Sequence, residues 1–145
     1  HIALLARDLA ANHRFYTEVM GFTLVKVMAV PLKTGSPGSW ARHAFYRTGP
    51  RSDADLIAFW ELNDPALREV RTDISTALGL PAWVNHLAFE APSAEALEGL
   101  IARWLDHGLE VTDVDHEFCR SIYTMDPNGI MVRSSAKSLS ANRRK

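Results

Sequence analysis

The sequence has 145 residues, of which 47% are hydrophobic and 23% are charged, and its formal net charge at pH 7 is -1. This length and balance are typical of one globular domain with a sizeable core, and they exclude a disordered chain. Lysine and arginine are scattered except for Arg143, Arg144 and Lys145, which argues against nucleic acid as a partner.

No feature of the sequence indicates a membrane or an export route. The apolar runs are only a few residues long, far short of the roughly 20 residues that a spanning helix needs, and no signal-peptide pattern opens the chain. The single cysteine, Cys119, cannot form a disulfide within the chain. We therefore expect a cytoplasmic protein. Because the sequence opens on His1 without a methionine, we also expect native residues upstream of it.

An internal repeat at an offset of 85 to 87 residues organises the chain. The first copy begins with a predicted strand over 1–6. Asp8 is a predicted N-cap, and the apolar spacing after it predicts an amphipathic helix over 9–20, which Gly21 ends. Three further stretches have strand character, namely 22–30, 40–48 and 55–62.

The second copy repeats this order. A predicted strand over 83–91 runs into Pro92 and Ser93, and apolar residues at helical spacing follow from Ala94 until Gly108. Further strands are predicted over 109–115, 120–125 and 129–134, with Asn128 and Gly129 forming a tight turn before the last one. Each half is thus predicted to be a βαβββ unit in an α+β fold.

The predicted organisation is a single domain over 1–145. Its first unit covers 1–62 and its second unit covers 83–135. The connection over 63–82 contains apolar residues and is predicted to form a linker with a helical turn or two. Residues 136–145 are predicted to be a flexible tail.

Each unit opens on a strand that begins with a histidine, His1 or His86. Because strand residues two apart point the same way, His1 shares a face with Ala3, and His86 shares a face with Ala88. If a pseudo-twofold axis relates the units, both imidazoles project into the same concavity. The functional interpretation is a pair of metal ligands, and the alternative is two unrelated strand histidines.

Several motifs together resemble the vicinal oxygen chelate superfamily, which contains glyoxalase I, extradiol dioxygenases, methylmalonyl-CoA epimerase and bleomycin-resistance proteins. They are His1 with Asp8, Phe15, Tyr16 and Gly21, then Asn85 to Phe89, then Ser121 to Tyr123 with Asp126 to Gly129. The resemblance covers nearly the whole chain. It implies two βαβββ units forming a cupped eight-stranded mixed sheet around a divalent metal, with the helices outside.

The resemblance also implies where the metal ligands fall. Family members take them from the first, fourth, fifth and eighth strands, or from the first, fifth and eighth. The first and fifth positions fall on His1 and His86, whereas the fourth falls on Ala58 and the eighth on Arg133, neither of which ligates a cation. Glu61 is the substitute third ligand, although its strand parity is opposite to that of Ala58. The implied ion is Fe, Mn, Zn or Ni.

Four further residues are candidates for the site. Tyr123 precedes Arg133 by ten residues, the separation of the catalytic tyrosine in the dioxygenase branch, and His116 lies near that branch's acid/base histidine. The alternatives are a half-buried strand aromatic and a solvent-exposed loop histidine. His43 is predicted to line the substrate cavity beside Phe45, and Arg133 to bind an anionic group of the substrate.

The function implied is that of a metal-dependent enzyme acting on a small organic substrate whose adjacent oxygens chelate the metal. Ring cleavage of the extradiol dioxygenase kind comes first, and a glyoxalase-like lyase or isomerase activity second. The alternative is a metal-free protein that binds or sequesters a small molecule in the same cavity, as bleomycin-resistance proteins do, and Arg133 favours it. A homodimer is expected, in which the two chains could share a site.

Overall fold

The computed structural model describes residues 1–53 and 55–137. In the first half the elements are β1 (Ile2–Leu5), α1 (Leu9–Arg14), β2 (Thr23–Pro31), β3 (Trp40–Arg47) and β4 (Leu56–Asn63). In the second half they are β5 (His86–Glu90), α2 (Ala94–Asp106), β6 (Thr112–Asp115), β7 (Cys119–Met125) and β8 (Met131–Lys137). The predicted order, βαβββ twice, is confirmed.

The two halves have the same sheet topology. The first sheet has the strand order β1-β4-β3-β2 and the second has β5-β8-β7-β6. In each sheet the first and fourth strands of the unit pair in parallel, and the other neighbours pair antiparallel. The α+β class and the two βαβββ units predicted from the repeat are therefore confirmed as two four-stranded mixed sheets.

The chain divides into two compact units, His1–Asp73 and Ile74–Lys145. The division falls within the connection over 63–82, which contains two short 3-10 turns, Pro65–Leu67 and Thr76–Leu78, as predicted.

The segment predicted as one helix over 9–20 forms an α-helix followed by a π-helical turn. Asp8 caps α1 as predicted, because its carboxylate accepts from the amides of Ala10 and Ala11. The α-helix gives way at Phe15 to a π-helical turn, Phe15–Val19, in which the Met20 amide donates to the Phe15 carbonyl. Apolar side chains one, four and five residues apart are compatible with both an α-helix and a π-helix, so their spacing did not predict the change from one to the other.

Each unit has its own apolar core between its helix and one face of its sheet. In the first unit the fully buried Tyr16 ring packs against Phe22 and Phe59. In the second unit Leu97 and Trp104 of α2 are fully buried. Because the helices cover one sheet face, residues of opposite parity form the other face, and there the candidate site residues are found.

Two predicted strands, those over 83–91 and 109–115, each begin three residues later than expected. Strand β5 starts at His86 because the preceding backbone turns, with the Val84 amide donating to the Pro81 carbonyl. Strand β6 starts at Thr112 because the Leu109 amide still donates to the Trp104 carbonyl at the end of α2.

The Asn-Gly turn before β8 is confirmed. The Asp126 carboxylate accepts from the amides of Asn128 and Ile130, both at 2.8 Å, and Gly129 has φ +79°. Strand β8 continues to Lys137, two residues into the predicted tail, and residues 138–145 lie outside the described residues. No helix in the described part of the chain is long and apolar enough to cross a membrane.

Candidate functional site

The sheet face of the first unit that points away from α1 carries a cluster of rings. His43 and Trp60 are paired across β3 and β4 and stack with 3.7 Å between ring centroids. Phe45 lies 4.2 Å from His43, and the exposed His1 ring lies 5.5 Å from Phe45 and 6.3 Å from His43. The structure thus brings His1 and His43, both predicted site residues, to the same face.

His43 is buried and its Nε2 atom makes no hydrogen bond with any described residue. Burial lowers the pKa of its imidazole, because the charged form loses hydration among neighbouring rings. The side chain therefore favours the neutral form.

This lowered pKa makes stability depend on pH. Below pH 6.5, the ordinary pKa of histidine, His43 binds a proton more readily in the unfolded chain than in the folded protein. The free energy of unfolding therefore falls as the pH falls through that value. In urea unfolding at pH about 7.5 and about 5.5, we expect His43→Phe to lose less stability on acidification than the wild type. His107→Gln, at an exposed histidine, is the matched control. Equal losses in wild type and His43→Phe would show that His43 does not titrate in this way.

Glu61 lies on the other face of the first sheet. Its carboxylate accepts from the Leu9 amide at 2.7 Å, at the start of α1, and pairs with Arg42. Trp60, the preceding residue, is on the His43 face, so the regular alternation of β4 turns Glu61 away from it. The substitute-ligand role predicted for Glu61 conflicts with this placement.

The second sheet has the corresponding face, and four predicted residues meet on or beside it. Arg133 in β8 pairs with Ala88 in β5 on one side and with Tyr123 in β7 on the other. His86 lies two residues before Ala88 and therefore on the same face, and its ring centroid is 6.4 Å from that of Tyr123. His116, in the turn before β7, places its Nε2 3.3 Å from the Tyr123 hydroxyl.

The first unit repeats this register with other side chains. There Ala58 pairs with Ala3 in β1 and with Phe45 in β3, so Ala58 occupies the place of Arg133, and Phe45 that of Tyr123. His1, two residues before Ala3, occupies the place of His86. The correspondence inferred from the sequence between the fourth-strand and eighth-strand positions thus matches the strand register.

His86 has a defined tautomer. Its Nδ1 lies 2.9 Å from the Trp83 carbonyl, which can only accept, so in the neutral imidazole Nδ1 carries the proton and Nε2 keeps its lone pair. Metal-binding histidines commonly have this arrangement, and so do histidines that accept a ligand's hydrogen bond.

Arg133 is half-buried and held by uncharged partners. Its Nε and Nη2 donate to the Ser121 hydroxyl at 3.1 and 2.9 Å, and Nη2 also lies 3.5 Å from Cys119 Sγ. No carboxylate of the described residues forms an ion pair with it. The contacts of Ser121 and Cys119 with Arg133 were not predicted from the sequence, although the period of two from Tyr123 places both residues on its face.

The residues present do not supply a complete metal site. His86 fits a ligand role, but Ala58 has no ligating atom and Arg133 is a permanent cation that would repel a divalent ion by several kcal/mol at an effective dielectric near 20. Within residues 1–53 and 55–137, no group of three or more His, Cys, Asp or Glu side chains is placed to hold a metal ion.

Comparisons with known proteins identify the family. The profile of the Glyoxalase/Bleomycin resistance protein/Dioxygenase superfamily matches residues 1–133. The chain belongs to this superfamily, as the resemblance of its motifs predicted. No curated protein matches the sequence.

Solved structures share the fold at low sequence identity. A glyoxylase/bleomycin resistance protein/dioxygenase domain from Frankia sp. EAN1pec is 19% identical, with TM-score 0.68 over 95% of each chain. The fosfomycin resistance protein FosX from Listeria monocytogenes, solved with Mn(II) and sulfate, is 20% identical, with TM-score 0.62 over 98% of this chain and 93% of that one. An integron cassette protein from Halifax Harbour sewage outfall is 20% identical, with TM-score 0.61 over 92% and 93%.

Proposed function

We propose that the protein is an enzyme that performs acid-base chemistry on a small organic molecule bound to the face of its second sheet that carries Tyr123 and Arg133. The observation that carries this proposal is the Tyr123 and His116 pair, whose hydroxyl oxygen and Nε2 are 3.3 Å apart. General acid-base catalysis needs a titratable side chain within hydrogen-bond reach of the proton that it transfers, and a second side chain hydrogen-bonded to the first can pass that proton on.

The pair can move a proton in either direction. When neutral His116 carries its proton on Nδ1, its Nε2 accepts the Tyr123 proton while the Tyr123 oxygen takes a proton from the substrate. The reverse transfer returns a proton to the substrate and restores both side chains. His86, with its free Nε2, and Arg133 lie on the same face and can orient the substrate.

The family's divalent metal is not part of this proposal. FosX from Listeria monocytogenes was solved with Mn(II), and His86 could ligate such an ion. However, the fourth-strand and eighth-strand positions hold Ala58 and Arg133, and Glu61 is engaged on the other sheet face. We therefore derive no step through a metal.

The predicted homodimer and cytoplasmic location stay predictions.

Proton exchange tests the proposal before the natural substrate is known. In D2O, we expect the protein to exchange the C3 protons of 2-oxobutyrate, a small molecule with adjacent oxygens, faster than buffer does, as followed by proton NMR. Tyr123→Phe and His116→Gln should each slow the exchange by about 100-fold or more, because each removes one member of the proton-transfer pair. His107→Gln, which changes an exposed histidine of the same unit, is the control.

Two outcomes would contradict the enzyme proposal. One is exchange no faster than in buffer, and the other is full activity in both variants. Binding of small molecules without exchange would instead support the second candidate function, a binding or sequestering protein. The observation that favours this second candidate is Arg133, which stands where the family's metal-binding carboxylate is expected and suits an anionic ligand instead.

A further inference from the structure

We propose that Arg133 is the binding site for the carboxylate of a 2-hydroxy or 2-oxo acid, whose neighbouring oxygen then faces Tyr123. This inference rests on the proposed function, because that function brings a small molecule to the sheet face that carries Tyr123 and Arg133. It adds the chemical class of the ligand and the residue that selects it.

The first argument is the uncompensated charge. A guanidinium that is half-buried without a counter-charge is costly, and both of its described partners, Ser121 and Cys119, are neutral. Glu90 is the acidic residue of the same strand pair, opposite Ser135, yet it forms no ion pair with Arg133. An anionic ligand would supply the missing charge.

The second argument is the fixed orientation of the guanidinium. Nε and Nη2 both donate to the hydroxyl of Ser121, a fully buried residue. This contact holds the side chain against the sheet and leaves Nη1 without a described hydrogen-bond partner. An arginine held in place loses little entropy when it binds a carboxylate oxygen through its charge-assisted N–H groups.

The third argument concerns access and the adjacent residues. Ala88, the β5 partner of Arg133, is exposed and bears only a methyl group, so a ligand can approach over it. Tyr123 is the β7 partner, and directly opposed side chains in antiparallel strands start about 5 Å apart. A ligand whose carboxylate binds Arg133 therefore lies beside Tyr123. In a 2-hydroxy or 2-oxo acid the next carbon carries the oxygen that would face the Tyr123 hydroxyl.

Mandelate and mandelamide test this inference. They share the ring and the hydroxyl, and they differ in that mandelamide replaces the carboxylate with a neutral amide. In a titration followed by 1H–15N NMR, we expect mandelate to shift the amides of β7 and β8 and to bind at least about tenfold more tightly than mandelamide, which is the effect of one charge-assisted hydrogen bond.

Variants of the same protein separate recognition of the carboxylate from general damage. Arg133→Gln should remove the preference for mandelate, and Arg133→Lys should retain part of it, because lysine keeps the charge without the fork. Arg103→Gln, at an exposed position of α2, should behave as the wild type. NMR spectra of each variant show whether the second sheet is intact.

The inference is overturned if mandelate binds no better than mandelamide, or if Arg133→Gln keeps the preference with a folded sheet. Its failure is distinguishable from failure of the proposed function. Arg133-dependent binding without proton exchange contradicts the enzyme alone. Exchange that depends on Tyr123 but not on Arg133 contradicts the carboxylate site alone.

Discussion

Tyr16→Ala is expected to lower the free energy of unfolding by about 3–5 kcal/mol, the cost of removing a large buried aromatic side chain. Tyr16 is fully buried in the π-helical turn, and its ring lies 4.7 Å from Phe59 and 6.0 Å from Phe22, measured between centroids. Alanine leaves a cavity where these rings meet, because the neighbouring strand cannot collapse into it. Urea unfolding followed by far-UV circular dichroism measures the change.

The control for this prediction is Tyr16→Phe, which keeps the ring and its packing. We expect it to lose a smaller part of the stability than Tyr16→Ala. A loss below about 1 kcal/mol in Tyr16→Ala would contradict the packing described for the first unit, since it is typical of a half-exposed aromatic side chain.

Asp126→Ala is expected to lower the free energy of unfolding by about 2–4 kcal/mol, because it leaves two buried backbone amides without their acceptor. These amides belong to Asn128 and Ile130, and the Asn128 side chain also donates to Asp126 at 3.0 Å. Asp126 and Asn128 are both buried, so water cannot simply replace the carboxylate. The same urea unfolding experiment applies.

Asp106→Ala is the matched control, because Asp106 is exposed at the end of α2. Its change should be within about 0.5 kcal/mol of zero. Equal effects of the two substitutions would show that the turn before β8 does not depend on Asp126.

The repeat in the sequence predicted the fold well because the order of helices and strands along the chain and the turn residues between them are local signals. Gly129 adopts the positive φ that its Asn-Gly pair predicts, and Asp8 caps α1 as expected. The start of β5 was misplaced because the chain turns just before it, and this turn is held both by the Val84 amide donating to the Pro81 carbonyl and by the Asn85 amide donating to Ser75 Oγ, ten residues away in sequence. No periodicity reports such a contact.

The candidate site was only partly predictable for a similar reason. The alternation of side chains along β4 correctly predicted that Glu61 points away from the His43 face. The contacts of Glu61 with Arg42 and Leu9 were not predictable, because they depend on the register of β3 and on the start of α1. The sequence also showed Arg133 in place of a carboxylate. Its hydrogen bond to the neutral Ser121 hydroxyl, on which the proposed carboxylate site depends, is seen only once β7 and β8 are paired.

The most direct test of the central claim is the rate of C3 proton exchange of 2-oxobutyrate in D2O, measured for the wild type, Tyr123→Phe, His116→Gln and the double variant. If the two residues act as one proton-transfer pair, each single variant loses about 100-fold or more and the double variant is hardly slower than either. Independent effects that multiply in the double variant, or a wild type no faster than buffer, would contradict the account.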